Sequence, residues 1–169
     1  MNIYLYHNEI KNYYIKNLTK AAKRMSNVAK ILQSKNHGII SVPPSTAVID
    51  ALEIMSENNI GSILVMEGSV FLGLFTERDY ARKVILKDKS SSETTVGEIM
   101  STELPRVHPR DTVEHCMKLI SAHHVRYLPV FEQGKLIGIV SILDLIQETV
   151  HLQKETISHL QEFISSNFA

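Results

Sequence analysis

The chain has 169 residues, long enough for one well-buried domain or two very small ones. Apolar residues make up 44% and charged residues 21%, a globular balance that excludes global disorder. Lys+Arg and Asp+Glu both number 18, so the formal charge is zero, unlike a protein that neutralises nucleic-acid phosphates, and a single cysteine excludes an internal disulfide or a cysteine zinc site.

Residues 1–24 are expected to be a basic arm or helix, with Lys11, Lys16, Lys20, Lys23 and Arg24 against one acid, Glu9. The arm lacks the apolar block of a secretory signal, and no run reaches the length that spans a bilayer. An organellar presequence would also be poor in acid but richer in arginine, so the expectation is a cytoplasmic protein that binds neither membrane nor nucleic acid. The lone Cys116 points the same way, to a reducing compartment.

The organised part is expected to begin near Met25, with Ser26 or Asn27 capping a short helix over Val28–Leu32. Asn36-His37-Gly38 reads as a turn, and Ile39 to Val42 as a strand stopped by Pro43-Pro44. Ser45 or Thr46 is the expected cap of a helix carrying Val48, Ala51, Leu52 and Met55 at helical spacing, ended by Asn58-Asn59. Two apolar runs, Ile60 to Met66 and Val70 to Phe75, flank Glu67-Gly68-Ser69 and predict a hairpin. Thr76 then opens a helix expected to run to about Lys87, and the polar stretch Asp88 to Thr94 is the predicted boundary between two units.

The second unit retraces the first. Thr94 or Thr95 caps Val96–Met100, and from Val107-His108-Pro109 onward a constant offset of 65 residues relates Val42 to Val107, Val65 to Val130, Gly73 to Gly138 and Asp79 to Asp144. This is an internal repeat of strand, helix, strand, strand, helix. Neither copy alone buries enough surface, so the expected architecture is α/β (α+β), two βαββα repeats packed sheet to sheet as a pseudo-twofold module. The expected boundaries are 1–24 for the arm, 25–90 and 91–150 for the repeats, and 151–169 for a C-terminal amphipathic helix through Ile157, Leu160 and Ile164, which covers a face or meets a second copy.

In each repeat an apolar strand delivers a hydroxyl residue straight onto a helix start, and an aspartate follows three residues later: Gly73-Leu74-Phe75-Thr76-Glu77-Arg78-Asp79, then Gly138-Ile139-Val140-Ser141-Ile142-Leu143-Asp144. Unpaired amides and the positive end of the helix dipole gather there, which suits a phosphate. The same pattern also describes a plain helix cap, in which the acid reaches back to the cap amide. Arg126 can fork onto phosphate oxygens, and Gly61 stands in its place in the first repeat, so the two clefts are expected to be unequal. His108, His115, His123 and His124 lack metal-ligand spacing, Cys116 falls at an apolar helix position, and no nucleophile, base and orienting acid cluster.

The doubled motif, Val-x-Pro before each first helix and Val125-Arg126-Tyr127-Leu128-Pro129-Val130 together resemble the tandem cystathionine-beta-synthase-type (CBS) domain pair, or Bateman module, over about Met25 to Val150. The resemblance implies a non-catalytic regulatory module, commonly dimeric, that binds an adenine nucleotide such as AMP, ADP, ATP or a related adenosyl ligand and signals by changing shape, to a separate effector protein or through its own assembly. It implies that Asp79 and Asp144 hold ribose and that Thr76 and Ser141 contact phosphate; Arg126 joins them on the phosphate chemistry above, and Arg78, with no counterpart in the second repeat, is a further candidate nucleotide-binding residue. Ser41, Val42, Pro44, Ile60 and Ile63 would line one base pocket, and Val107, His108, Pro109, Val125, Leu128 and Pro129 the other. The alternatives are a ligand-free structural dimerisation module and, third, a small enzyme. No metal and no catalytic cofactor are expected.

Overall fold

A computed structural model describes residues 27–35 and 38–168, without the side chains of residues 163 and 166–168. The basic arm, the candidate cap Ser26 and most of the Asn36-His37-Gly38 turn lie outside the described residues. In chain order the elements are α1 (Val28–Ser34), β1 (Ser41–Val42), α2 (Val48–Glu57), β2 (Ser62–Glu67), β3 (Val70–Thr76), α3 (Glu77–Asp79), α4 (Val96–Ile99), α5 (Val113–His123), β4 (Tyr127–Glu132), β5 (Lys135–Ser141) and α6 (Ile142–Phe168). The described residues fall into two compact units: 35 and 38–107 with 128–139, and 27–34 with 108–127 and 140–168.

The unit holding residues 35–107 is built on a three-stranded sheet in the order β1-β2-β3, with β1 parallel and β3 antiparallel to β2. β1 is shorter than the run from Ile39 suggests, because only Ser41 and Val42 pair with β2, opposite Leu64 and Val65. Val48, Ala51 and Met55 recur at helical spacing along α2 and bury against Ile63, Val65 and Phe75 of the sheet. Gly68, at φ +58°, turns the hairpin between β2 and β3. Leu128–Ile139, the outer part of the second hairpin, belongs to this unit too: Phe131 meets Phe71 edge to face at 5.7 Å, and Arg106 lies 4.5 Å over the Phe131 ring.

Two local expectations need correction. Neither Ser45 nor Thr46 caps α2; the cap is Ala47, which offers no side-chain acceptor. The orphan amides of Val48 and Ile49 donate instead to Thr94 O (2.9 Å) and Ser91 O (3.0 Å), so the serine-rich stretch supplies tertiary caps. The helix from Thr76 is also irregular: after α3 it passes into a π-turn over Tyr80–Val84 and a 3-10 turn over Ile85–Lys87, ended by Asp88 at φ +50°. Such π segments are rare and concentrate at functional sites.

The short helix preceding each repeat docks by a rule that repeats as well. Val96 N and Gly97 N of α4 donate to Thr46 O and Pro44 O, both at 2.9 Å, while Val28 N and Ala29 N of α1 donate to Asp111 O (3.0 Å) and Pro109 O (2.9 Å). The acceptors are again 65 residues apart. Helix α4, on the N-terminal side of the second repeat, thus sits on the first repeat's helix entry, and α1, on the N-terminal side of the first, sits on the second's. Gly97 has no Cβ for a physical reason, since one would lie 2.9 Å from Pro44 O.

In the other unit α6 packs along α5 and α1, with Leu145 fully buried and Lys30 paired to Glu148 at 3.0 Å. Asn27 caps α1 as expected, its Oδ1 accepting from Lys30 N at 3.1 Å. Cys116 is completely buried on α5, and that burial, with the negative Asp111 second, pushes its thiol up to about 11. Below about pH 9 the thiol is protonated in folded and unfolded chains alike; between about 9 and 11 only the unfolded chain releases its proton, so stability falls as pH rises. The expected loss across that window is about 2–3 kcal/mol. Urea midpoints measured from pH 8 to 11 check it: the Cys116→Ala variant should lose this part of the slope.

Candidate functional site

Strand β3 ends at Thr76, whose extended backbone turns the chain onto α3. Thr76 Oγ1 accepts from Asp79 N (3.1 Å) and donates to Asp79 Oδ2 (2.6 Å), and Thr76 N donates to the same oxygen (3.2 Å). This is a complete capping box. The second repeat reproduces it atom for atom: Ser141 Oγ accepts from Asp144 N (3.2 Å) and donates to Asp144 Oδ2 (2.7 Å), and Ser141 N donates to Oδ2 at 2.6 Å. The cap reading is therefore realised twice, and each cap holds a carboxylate at a strand-to-helix corner.

The backbone at positions 61 and 126 completes each corner. Gly61 O accepts from Glu77 N at 3.4 Å, and Arg126 O accepts from Ile142 N at 2.9 Å. Arg126, Ser141 and Asp144 are thereby brought together at one helix start, with the Arg126 side chain exposed. Arg78 is half-buried beside Asp79 in the sequence.

The remaining predicted residues divide by environment. Val42 and Ile63 are core residues, packed with Val48 and Phe75, while Ile60 is partly buried at the core edge. Ser41 is exposed, and Pro44 lends its carbonyl to Gly97. Val107, Leu128 and Pro129 are buried in the unit of the first repeat, where Val107 N donates to Pro129 O (3.1 Å) and Phe131 N to Val107 O (2.8 Å). His108, Pro109 and Val125 belong to the other unit, where His108 N donates to Asp111 Oδ2 (2.7 Å) and His108 Nδ1 accepts from Arg110 N (3.1 Å). Among the described residues no three His, Cys, Asp or Glu side chains gather as a metal site.

Two residues at the first corner escape sequence reasoning. Lys83 Nζ lies 2.7 Å from Asp79 Oδ1, and Ser101 Oγ donates to that oxygen at 3.0 Å. Lys83 sits four residues from Asp79 and was readable as an ion-pair partner on a helix. Ser101 lies 22 residues away and reaches Asp79 only because its backbone pairs with Leu74 at the end of β3, through Leu74 N to Ser101 O (2.9 Å) and Ser101 N to Leu74 O (2.8 Å).

Comparison with known proteins agrees with this arrangement. The family model for the CBS domain matches residues 28–86 and again residues 96–151. A curated relative, the mitochondrial CBS domain-containing protein CBSX3 of Arabidopsis thaliana, is 36% identical over 126 residues; the match covers 72% of this chain and 61% of that protein's length. A solved protein with CBS domains from Burkholderia ambifaria MC40-6 superposes with a TM-score of 0.72 at 42% identity, covering 75% of this chain and 95% of its own. CBSX2, solved in complex with AMP, shares the fold at a TM-score of 0.63 and 22% identity, over 76% of this chain and 98% of its own.

Proposed function

The chain belongs to the CBS-domain family, with both repeats present, and from that premise we propose that it is a non-catalytic regulatory module that binds an adenine nucleotide. The observation that carries the reading is the doubled corner, Thr76 with Asp79 and Ser141 with Asp144, each presenting a carboxylate beside a helix start. A carboxylate accepts both hydroxyls of a vicinal diol, and a helix start favours phosphate. The AMP complex of CBSX2 supports the ligand class. In this reading Asp79 and Asp144 hold ribose, Thr76, Arg78, Ser141 and Arg126 face phosphate, and the remaining residues named above surround the base.

Signalling follows from differential affinity. A nucleotide shifts the module toward whichever arrangement gives the corners their better contacts, and the output passes to a separate effector or to the module's own assembly. The direct test is a mass spectrum of small molecules released by denaturing the purified protein, together with titration by AMP, ADP and ATP. Release of an adenosine phosphate, or saturable binding of one, supports the reading; absence of both favours the ligand-free dimerisation module.

We assign the module a second copy of itself as partner. Leu143, Val150, Ile157 and Ile164 recur every seven residues along α6 and are 65%, 42%, 54% and 49% exposed. Ile146 (42% exposed), Gln153 and Leu160 fall at the alternate positions of the same heptads, so β-branched residues predominate on one line, one polar residue interrupts the other, and the seam has the form of a two-stranded coiled coil. Replacing Ile157 by lysine puts a charge into that seam and is expected to weaken self-association about a hundredfold, read by light scattering across a dilution series. An unchanged dimer in that variant rules the seam out as the interface.

No helix among the described residues is long and apolar enough to cross a membrane. We place the protein in the cytoplasm, in keeping with its single buried thiol. A fluorescent fusion concentrated in an organelle would overturn that placement.

A further inference from the structure

A carboxylate offers about four lone-pair sites on two oxygens. At Asp79 every one is in use. Oδ2 accepts from Thr76 N and Thr76 Oγ1, while Oδ1 takes Lys83 Nζ at 2.7 Å and Ser101 Oγ at 3.0 Å. Asp79 is also only 8% exposed, so water cannot readily substitute for a lost donor.

The two donors on Oδ2 recur in the second repeat, whereas the positions equivalent to Lys83 and Ser101 carry other residue types. The position 65 residues after Lys83 is Glu148, an acid that pairs with Lys30 at 3.0 Å. In the register that aligns Val28 with Val96 and Ile31 with Ile99, the position of Ser101 is held by Gln33, which is exposed. Lys83 and Ser101 are thus particular to the first repeat.

The ammonium of Lys83 completes a closed triangle. Besides Asp79 it donates to Ile99 O (2.7 Å), at the C-terminal end of α4, and to Ser101 Oγ (3.2 Å). Its three protons thus tie the acid to the segment Ile99–Ser101, which leads from the first repeat to the second. Lys83 lies within the π-turn over Tyr80–Val84.

We infer that Lys83 and Ser101 are positioning residues that hold Asp79 closed, so that a vicinal diol takes Oδ1 only by displacing one of them, and occupancy of the first site is transmitted to the Ile99–Ser101 segment. The inference rests on the nucleotide-binding reading above and adds a specific regulation to it. A ligand without a diol gains nothing from opening the triangle.

Calorimetric titration with AMP tests this in the full chain carrying Asp144→Ala, which leaves only the first site. Ser101→Ala and Lys83→Met are each expected to bind AMP about tenfold more tightly than that parent, the equivalent of one hydrogen bond no longer broken. Ser101→Thr keeps the hydroxyl and stays at parental affinity, and 2′,3′-dideoxyadenosine monophosphate shows no gain with any variant. Tighter binding by Ser101→Ala where the parent binds undetectably also supports the closed acid. Parental binding that Ser101→Ala leaves equal or weaker overturns the inference while leaving nucleotide binding intact. If AMP binds neither the unsubstituted protein nor any variant, the nucleotide reading itself fails and the inference falls with it. Ser101→Ala decides the matter should Lys83→Met fold poorly.

Discussion

Replacing Gly73 by valine is expected to destabilise the protein by about 2 kcal/mol and to disturb the first corner at the same time. A Cβ at this position would stand 2.8 Å from Ser101 O, 2.9 Å from Met100 Sδ and 3.1 Å from Met100 Cγ. The methionine side chain can swing away. The carbonyl cannot, because Ser101 O and N are both paired to Leu74. Two opposing effects have to be weighed. Valine suits a strand better than glycine by about 0.5–1 kcal/mol. Forcing extra carbons into a closed contact costs about 1–3 kcal/mol, and valine adds two further methyls beyond the Cβ, so crowding wins. Urea denaturation measures the loss. Gly38→Ala, where an added Cβ meets nothing within 4 Å, serves as the control and should change stability by less than about 0.5 kcal/mol. A Gly73→Val protein as stable as the parent would mean that Ser101 does not approach β3 this closely.

The combined substitution Asp79→Ala with Asp144→Ala is expected to abolish the thermal stabilisation given by an adenine nucleotide. At a hundredfold excess over its dissociation constant a bound ligand stabilises by about 2.7 kcal/mol. For a chain of this size that is a rise in Tm of roughly 5–10 °C. Each diol hydroxyl donated to a carboxylate contributes about 1.5–3 kcal/mol, and alanine offers no acceptor, so affinity falls by more than about a hundredfold and the rise disappears. The double variant will also melt lower in the absence of ligand. Alanine removes the capping box from each helix, about 1 kcal/mol apiece, and at Asp79 it leaves Lys83 and Ser101 without their shared acceptor. The quantity to compare is therefore the ligand-induced rise, not the absolute Tm. A rise that survives in the double variant would show that the nucleotide is held elsewhere.

Both predictions start from the same seven-residue motif, and they show how its parts divide between binding and architecture. Thr76 and Asp79 serve the corner itself. Gly73 serves Ser101: the glycine is where the segment after α4 comes close enough to pair with β3 and place a hydroxyl on Asp79.

The local and the periodic features were legible in the residues alone. The 65-residue offset, the hairpins turning at Gly68 and after Glu132, the strand-to-helix corners and the α6 stripe are all written in residues near one another, where turn chemistry and side-chain period act directly. Even the left-handed residues that end α2 and α5, Asn59 and His124, keep the register, although histidine gives no hint of that conformation. Long-range packing alone settles that α4 caps the first repeat's helix entry and α1 the second's, that Ala47 needs no side-chain cap, and that Lys83 and Ser101 close around Asp79. Those outcomes depend on backbone groups brought together across tens of residues by burial of Val28, Ile31, Val96 and Ile99. No local spacing encodes which distant carbonyl will meet a free amide, because apolar burial is non-directional and the hydrogen bonds are settled only once the helices have docked.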